Sequence, residues 1–164
     1  SGVMVYAKTK RAAAALSEQV QSHKMKKIYT AVVHGRPLDA VDNYVDYLVK
    51  TPDGNYSQVV DKGITGAKKA ELSYEVLKTI DGKIAGMPET ELSLVRISLK
   101  TGRHHQIRVQ LAHAGYPIVG DRKYNTDSSA TRGDHLKLCS YKIGFVHPKT
   151  HKKMEFEIEN PYAC

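Results

Sequence analysis

The sequence contains no tryptophan, only two phenylalanines and only two cysteines among its 164 residues. Because the cysteines are few and one is the last residue, Cys139 and Cys164 are expected to be free thiols rather than a disulfide framework. No apolar run approaches the roughly 18 residues of a membrane span. In SGVMVYAKTKR the basic residues follow the apolar ones, unlike a signal peptide. These absences predict a cytoplasmic protein with an ordinary hydrophobic core.

Several catalytic signatures are also missing. The chain has no glycine-rich phosphate loop, no C-x-x-C pair and no G-x-S-x-G turn, so nucleotide hydrolysis, zinc-finger and serine-hydrolase functions lack support. His147 and His151 are four residues apart, but Pro148 predicts a turn between them and no third ligand is close in sequence. We therefore expect no metal site.

Positive charge is in excess but unevenly distributed. The net charge is +8, with seven Lys/Arg against one acid in residues 1–36 and twelve against three in residues 96–153. Residues 37–95 instead hold six Lys/Arg against ten acids. If the fold joins the two basic segments, they form a positive face suited to a polyanion such as RNA. A solvated basic surface is the alternative that charge alone leaves open.

The pattern of apolar residues predicts more strands than helices. Thr9 is placed to cap a helix that runs to about Ser22. Strands are predicted over Val3–Ala7, Ile28–Val33, Tyr44–Lys50, Tyr56–Val60, Ala70–Thr79, Glu91–Lys100 and Leu136–Val146, and around Met154, Phe156 and Ile158. Loops are expected over Gly82–Pro88 and Asn125–Gly133. The expected class is α+β, with one domain over residues 1–164 and a mixed, mostly antiparallel sheet flanked by helices.

The densest polar chemistry lies between Leu99 and Tyr124. A helical period begins at Arg103 and is closed by Gly115 and Pro117, and it places Arg108 on the apolar side. A buried arginine stays charged, so Arg108 requires an anionic partner. Asp121 is the only acid in this stretch. Spacing alone leaves a structural ion pair with Asp121 and a catalytic role for Arg108 equally open.

The same stretch offers other candidates. Arg103 lies in the first turn of the predicted helix, where a positive charge is unfavourable next to the helix dipole. A phosphate bound at this helix end would explain an arginine here, and an ordinary surface arginine is an equal alternative. His104 and His105 suggest the acid and base of an RNA-cleaving enzyme. Neighbours on a helix point about 100° apart, however, so a structural or RNA-facing histidine is the favoured interpretation.

The run GRHHQIRVQLAHAGYPIVGDRKY resembles the GRxHQIRVHLAxxGxPIxGDxxY block of the RluA-type RNA pseudouridine synthases. SGVMVYAKT, KKIYTAVVHG and AKKAELSYEVL are similar to further motifs of that family, so the resemblance covers nearly the whole chain. It implies that residues 1–164 form the C-terminal, larger part of a pseudouridine synthase catalytic domain. The implied activity is isomerisation of uridine to pseudouridine in ribosomal or transfer RNA, without cofactor or metal.

The resemblance also assigns roles to individual residues. The family's catalytic aspartate lies in an HRLD motif just ahead of the SG that here is Ser1-Gly2. Arg108 then corresponds to the basic residue that pairs with this aspartate, Tyr29 to the tyrosine that packs on the target uracil, and Ile107 to an apolar neighbour of the base. We further expect Arg103, His105 and Gln106 to contact the RNA.

Two consequences are expected. Without the aspartate the chain alone is inactive, and a sheet edge or apolar groove is left unsatisfied near Arg108. The alternative is a non-catalytic RNA-binding remnant of the same fold.

Overall fold

The computed structural model describes residues 1–81, 91–125 and 135–162. In these ranges the chain forms two helices, α1 and α2, and seven strands, β1 to β7. In chain order they are α1 (Lys10–Gln21), β1 (Lys26–His34), β2 (Val41–Lys50), β3 (Ser57–Val60), β4 (Lys68–Asp81), β5 (Glu91–Leu99), α2 (Gln106–His113), β6 (Leu138–Val146) and β7 (Lys153–Glu157).

All seven strands belong to one sheet in the order β3-β2-β4-β5-β1-β6-β7. Neighbouring strands in this sheet are all antiparallel, and a parallel bridge joins Gly2 to Ser140. The predicted α+β class with a mostly antiparallel sheet is therefore confirmed. The β-branched segment Ile28–Val33 lies in β1, between β5 and β6, as its apolar character predicts.

Helix α1 begins where its capping residue predicts. The Thr9 hydroxyl accepts a hydrogen bond from the backbone N–H of Ala12 at 3.2 Å, which satisfies one of the free amides of the first turn. The helix packs lightly: Leu16 contacts a cluster formed by Met25, Ile143 and Phe145, and none of the α1 residues is fully buried.

The predicted strand Val3–Ala7 is wrong, since none of these residues lies in a strand; the chain start pairs with Ser140 at Gly2, and Val3 N–H donates to the Ser140 carbonyl. Strand β7 already pairs with β6 from Lys142 onward, so only the edge at Ser140 is left for the first residues. Gly2 has φ +116°, and a Cβ atom there would collide with the Ser140 carbonyl. This close approach explains why glycine stands at position 2.

The core lies between the sheet and α2. Ile107 and Leu111 of α2 pack on buried residues of the central strands. The sheet contributes Ala31, Val33, Leu72, Tyr74, Val95 and Ile97, and Ile118 completes the cluster. Because α2 is only eight residues long, this contact rather than helix propensity holds it in place.

Some expectations fall outside the described residues. These are the predicted loop Gly82–Pro88, most of the predicted loop Asn125–Gly133, and Cys164. Cys139 is a free, buried thiol, as expected. No helix in the described ranges has both the length and the apolar character needed to cross a membrane.

Leu111→Ala tests whether α2 depends on this core contact. Leu111 is 1% exposed, so its truncation is expected to lower the free energy of unfolding by about 2–5 kcal/mol, measured by urea denaturation. Leu38, which is 95% exposed, provides the control, and Leu38→Ala should change stability by less than about 0.5 kcal/mol. Equal effects of the two substitutions would contradict the packing described.

Candidate active site around Arg108 and Asp121

Arg108 and Asp121 form a two-armed ion pair on the side of α2. Arg108 Nε donates to Asp121 Oδ2 at 2.8 Å and Nη2 donates to Oδ1 at 2.6 Å. The Arg108 side chain is 16% exposed and that of Asp121 is fully buried. Asp121 is therefore the anionic partner that burial of Arg108 requires, and of the two alternatives the sequence left open, the ion pair with Asp121 is present.

The turn that carries Asp121 holds its carboxylate in place. The backbone N–H groups of Lys123 and Tyr124 donate to Oδ1 at 2.9 and 3.2 Å. Gly120 has φ +75°, and a Cβ atom there would collide with the carbonyl of His135, which explains the glycine of the GD pair. Burial by itself raises the pKa of Asp121, but hydrogen bonds from Arg108 and from the turn outweigh it and hold the pKa below its ordinary value.

His105 lies on the other side of the guanidinium. Arg108 Nη1 is 3.3 Å from His105 Nε2, and because arginine has no acceptor, Nε2 must carry the lone pair. The ring proton is then on Nδ1, which donates to the Tyr124 hydroxyl oxygen at 2.9 Å. Burial, followed by the charge of Arg108, lowers the pKa of His105 to about 4. His105 is therefore neutral at physiological pH and orients the arginine instead of repelling it.

Tyr124 connects this cluster to the β2–β3 hairpin. Its hydroxyl oxygen also accepts from the backbone N–H of Ser57 at 2.9 Å, and the Arg108 guanidinium lies 5.0 Å from the centre of its ring. The Tyr56 ring packs edge-on against Tyr124. The position of Arg108 thus depends on the first residue of β3, about fifty positions away in sequence.

The predicted start of the helix at Arg103 is wrong. Helix α2 begins at Gln106 because His105 adopts a left-handed conformation, with φ +52°. Arg103 thus lies before the helix and does not oppose its dipole. Its side chain is exposed, and Nε donates to the carbonyl of Lys69 at 2.8 Å.

Gln106 is buried and shapes the loop ahead of α2. Its amide oxygen accepts from the Thr101 hydroxyl at 2.7 Å and from the backbone N–H of Arg103 at 2.9 Å. Its amide nitrogen donates to the carbonyl of Glu71 at 3.1 Å. These contacts fix the loop between β5 and α2, and a direct contact of Gln106 with RNA stays a prediction.

The two adjacent histidines do not point apart as a helix would require. Since both precede α2, their rings stack with centroids 3.9 Å apart. His104 Nδ1 is 3.0 Å from the Ser57 hydroxyl, and both ring nitrogens of His105 are engaged as described. His105 therefore has no ring nitrogen available for the acid and base chemistry of RNA cleavage.

Tyr29 lies on the sheet face that α2 covers, and Ile107 is on the side of α2 that packs on this face. Tyr29 packs against the cluster that contains Ile107, and a bulge shifts the β1–β6 register between Ile28 and Tyr29. Burial raises the pKa of Tyr29, and a side-chain hydrogen bond with Ser140 partly offsets this. Ser140 also bonds the first residues, through Ser1 O and Val3 N. The chain start, Ser140 and Tyr29 thus meet at one place on the sheet.

The sequence did not single out two members of this cluster. Tyr124 closes the motif block, which was the available signal, whereas nothing in the sequence indicated Ser57. Among the described residues, no group of three or more His, Cys, Asp or Glu side chains is placed to bind a metal ion.

Comparison with known proteins decides the family. The model of the family described as RNA pseudouridylate synthase matches residues 1–113. The chain belongs to this family.

Relatives within the pseudouridylate synthase family align along nearly all of the chain. The chain is 34% identical over 160 residues to ribosomal large subunit pseudouridine synthase C of Buchnera aphidicola, covering 94% of this chain and 48% of that protein. It is 33% identical over 153 residues to the dual-specificity RNA pseudouridine synthase RluA of Vibrio parahaemolyticus, covering 92% and 58%. The chain spans about half the length of the curated relatives it matches.

The fold is shared with solved members. The structure of human RNA pseudouridylate synthase domain containing 1 superposes with a TM-score of 0.76 at 20% identity, over 94% of this chain and 62% of that one. The RluA-type resemblance of the motif block is thus confirmed at the level of family and fold.

Asp121→Asn tests the ion pair. Removing one member of a buried pair is expected to cost about 3–5 kcal/mol at pH 7, measured by denaturant unfolding. Because the folded-state pKa of Asp121 is lowered, the stabilisation is present at neutral pH and is lost as the pH falls through that pKa. The difference between variant and wild type should therefore shrink in acid. Glu75→Gln, at the exposed pair with Arg96, should cost no more than about 1 kcal/mol.

The protonation of His105 is directly measurable. An NMR titration should give the His105 ring a midpoint of about 4, with His105→Gln used to assign its signal. A midpoint near the ordinary value of 6.5 would contradict both the neutral ring and the inferred Nδ1–H tautomer.

Proposed function

We propose that this chain is the larger part of the catalytic domain of an RNA pseudouridine synthase that acts on uridine in ribosomal or transfer RNA. The catalytic aspartate is proposed to lie in a segment ahead of Ser1, and Arg108 to bind its carboxylate. A cytoplasmic location accompanies such substrates. Family membership and the motif block around Arg108 support this proposal.

The orientation of the Arg108 guanidinium is the observation that carries it. Arginine has five N–H groups. Asp121 takes one on Nε and one on Nη2, and His105 faces one on Nη1. Within the described residues this leaves one N–H on each terminal nitrogen for a second carboxylate. Arg108 can then bind the catalytic aspartate without leaving Asp121, and its charge would hold that aspartate ionised.

The position of Tyr29 supports the second half of the site. A segment ahead of Ser1 would join the chain beside Ser140. The Ser140 backbone bonds Ser1, and the Ser140 side chain bonds Tyr29. Tyr29 is proposed to pack on the uracil, with Ile107 as its apolar neighbour. An aromatic surface of this kind holds a base that has been removed from its stack.

The reaction of the family needs such confinement. The bond between uracil N1 and ribose C1′ breaks, the base rotates, and a bond forms between C5 and C1′. The C5 proton is lost to solvent and N1 takes up a proton, so the product is an isomer of the substrate. The aspartate assists at the ribose, while the protein holds both fragments together and excludes water. Orientation by Arg108 and Tyr29 is the contribution proposed for this chain.

Conversion of uridine is measured by the release of tritium from C5-labelled RNA. The 164-residue chain alone is expected to release none, and a form that includes the aspartate-bearing segment should release it. In that form, Arg108→Ala should lower the rate by about 100-fold or more, and Tyr29→Phe should also lower it. Arg108→Lys keeps the charge but loses the two-armed geometry, so it should remain impaired.

The control is Arg11→Ala, an exposed arginine of α1, which should leave the rate unchanged. Activity of the isolated chain, or full activity of Arg108→Lys, would overturn the proposed roles. If the extended form binds RNA but releases no tritium, the non-catalytic RNA-binding remnant is the correct alternative.

A further inference from the structure

A basic groove lies next to His104 of the stacked histidine pair. It has a volume of about 520 Å³ and is bordered by the end of β2, the start of β3 and the loop ahead of α2. Three of its nine lining residues, Lys50, Lys68 and Arg103, are cationic, and none is acidic. All three side chains are exposed, so they are available to a ligand.

A fourth cation, Lys27, lies close to Gly102, one of the residues that line the groove. A Cβ atom on Gly102 would lie 3.0 Å from Lys27 Nζ, which places this ammonium group beside the loop that lines the groove. Glycine at position 102 leaves room for it. Cations grouped without an acid among the lining residues create a positive potential that attracts anions.

The groove is adjacent to the candidate active site. His104 lines it, the His104 ring stacks on His105 at 3.9 Å, and His105 contacts Arg108 at 3.3 Å. Two side chains therefore separate the groove from the guanidinium. An RNA strand whose uridine occupies the active site would have neighbouring nucleotides within reach of this groove.

We propose that this groove binds the phosphate backbone of the RNA strand that carries the target uridine, through Lys50, Lys68 and Arg103. The inference rests on the proposed function and adds to it the path of the substrate strand. Arg103 suits this role because Nε is held by the Lys69 carbonyl, which directs the guanidinium without occupying its terminal nitrogens. Contacts of this kind position a strand but do not read its sequence.

His104 offers a reporter of occupancy. The Ser57 hydroxyl donates its proton to the His104 carbonyl at 2.9 Å. The Ser57 hydroxyl oxygen therefore accepts a hydrogen bond from His104 Nδ1–H. Nearby positive charge from Lys50, Lys123 and Arg108 adds to burial in lowering the pKa of His104. A phosphate in the groove should raise that pKa, as opposite charges do.

The test measures binding of the 164-residue chain to a fluorescein-labelled, uridine-containing RNA stem-loop by fluorescence anisotropy at several salt concentrations. The double variant Lys50→Gln/Lys68→Gln should bind about tenfold or more weakly at low salt. Its salt slope should be smaller by about 1.4, which is the loss of two phosphate contacts on a single strand. The control Lys149→Gln/Lys152→Gln removes the same charge at the β6–β7 turn and should keep the wild-type slope.

The outcomes separate this inference from the proposed function. If wild type binds the RNA and the two double variants have the same affinity as each other, whether unchanged or reduced, the groove assignment is wrong and the proposed function stands. If wild type does not bind the RNA and the extended form releases no tritium, both fail. In a parallel NMR titration, RNA should raise the pKa of His104 in wild type and not in Lys50→Gln/Lys68→Gln; an unchanged pKa in wild type overturns the groove assignment.

Discussion

The ion pair between Arg108 and Asp121 is the constraint on which the rest of the site depends. A buried arginine keeps its charge, so the fold must place a carboxylate against it. The turn after Gly120 does this by aiming Asp121 back at α2, and Ile107 and Leu111 hold α2 against the core. His105 and Tyr124 then fix the remaining side of the guanidinium. The orientation of the Arg108 guanidinium thus depends both on the packing of α2 in the core and on the geometry of the turn that carries Asp121.

Much of the sheet was predictable because it follows alternation along the chain. Strands β2 to β5, the Thr9 cap and the need of Arg108 for an anionic partner were all predicted from the sequence. The start of α2 was not, since periodicity assumes helical dihedrals and a single left-handed residue, His105, breaks that assumption. That one dihedral also turned two histidines expected to diverge into a stacked pair.

The basic groove was hidden for a different reason. Lys50 and Lys68 lie in the segment that has more acids than bases, so counting charge along the chain assigned them to an acidic region. In the folded protein, Lys50 at the end of β2 and Lys68 at the start of β4 lie in the same groove as Arg103 and His104. Ser57 joins the Arg108 cluster by the same route. Contacts between segments about fifty residues apart produce no local sequence pattern, so they cannot be predicted from the sequence in this way.

The neutral state of His105 is what allows two positive regions to lie so close together. His104 lines the groove with the cations, and His105, stacked on His104, contacts Arg108. A protonated His105 would place a further charge 3.3 Å from Arg108 Nη1 and would remove the lone pair that accepts from it. Partial burial and Arg108 itself prevent this by lowering the pKa. The histidine pair thus lies between the guanidinium that binds the Asp121 carboxylate and the groove that we propose for the RNA backbone.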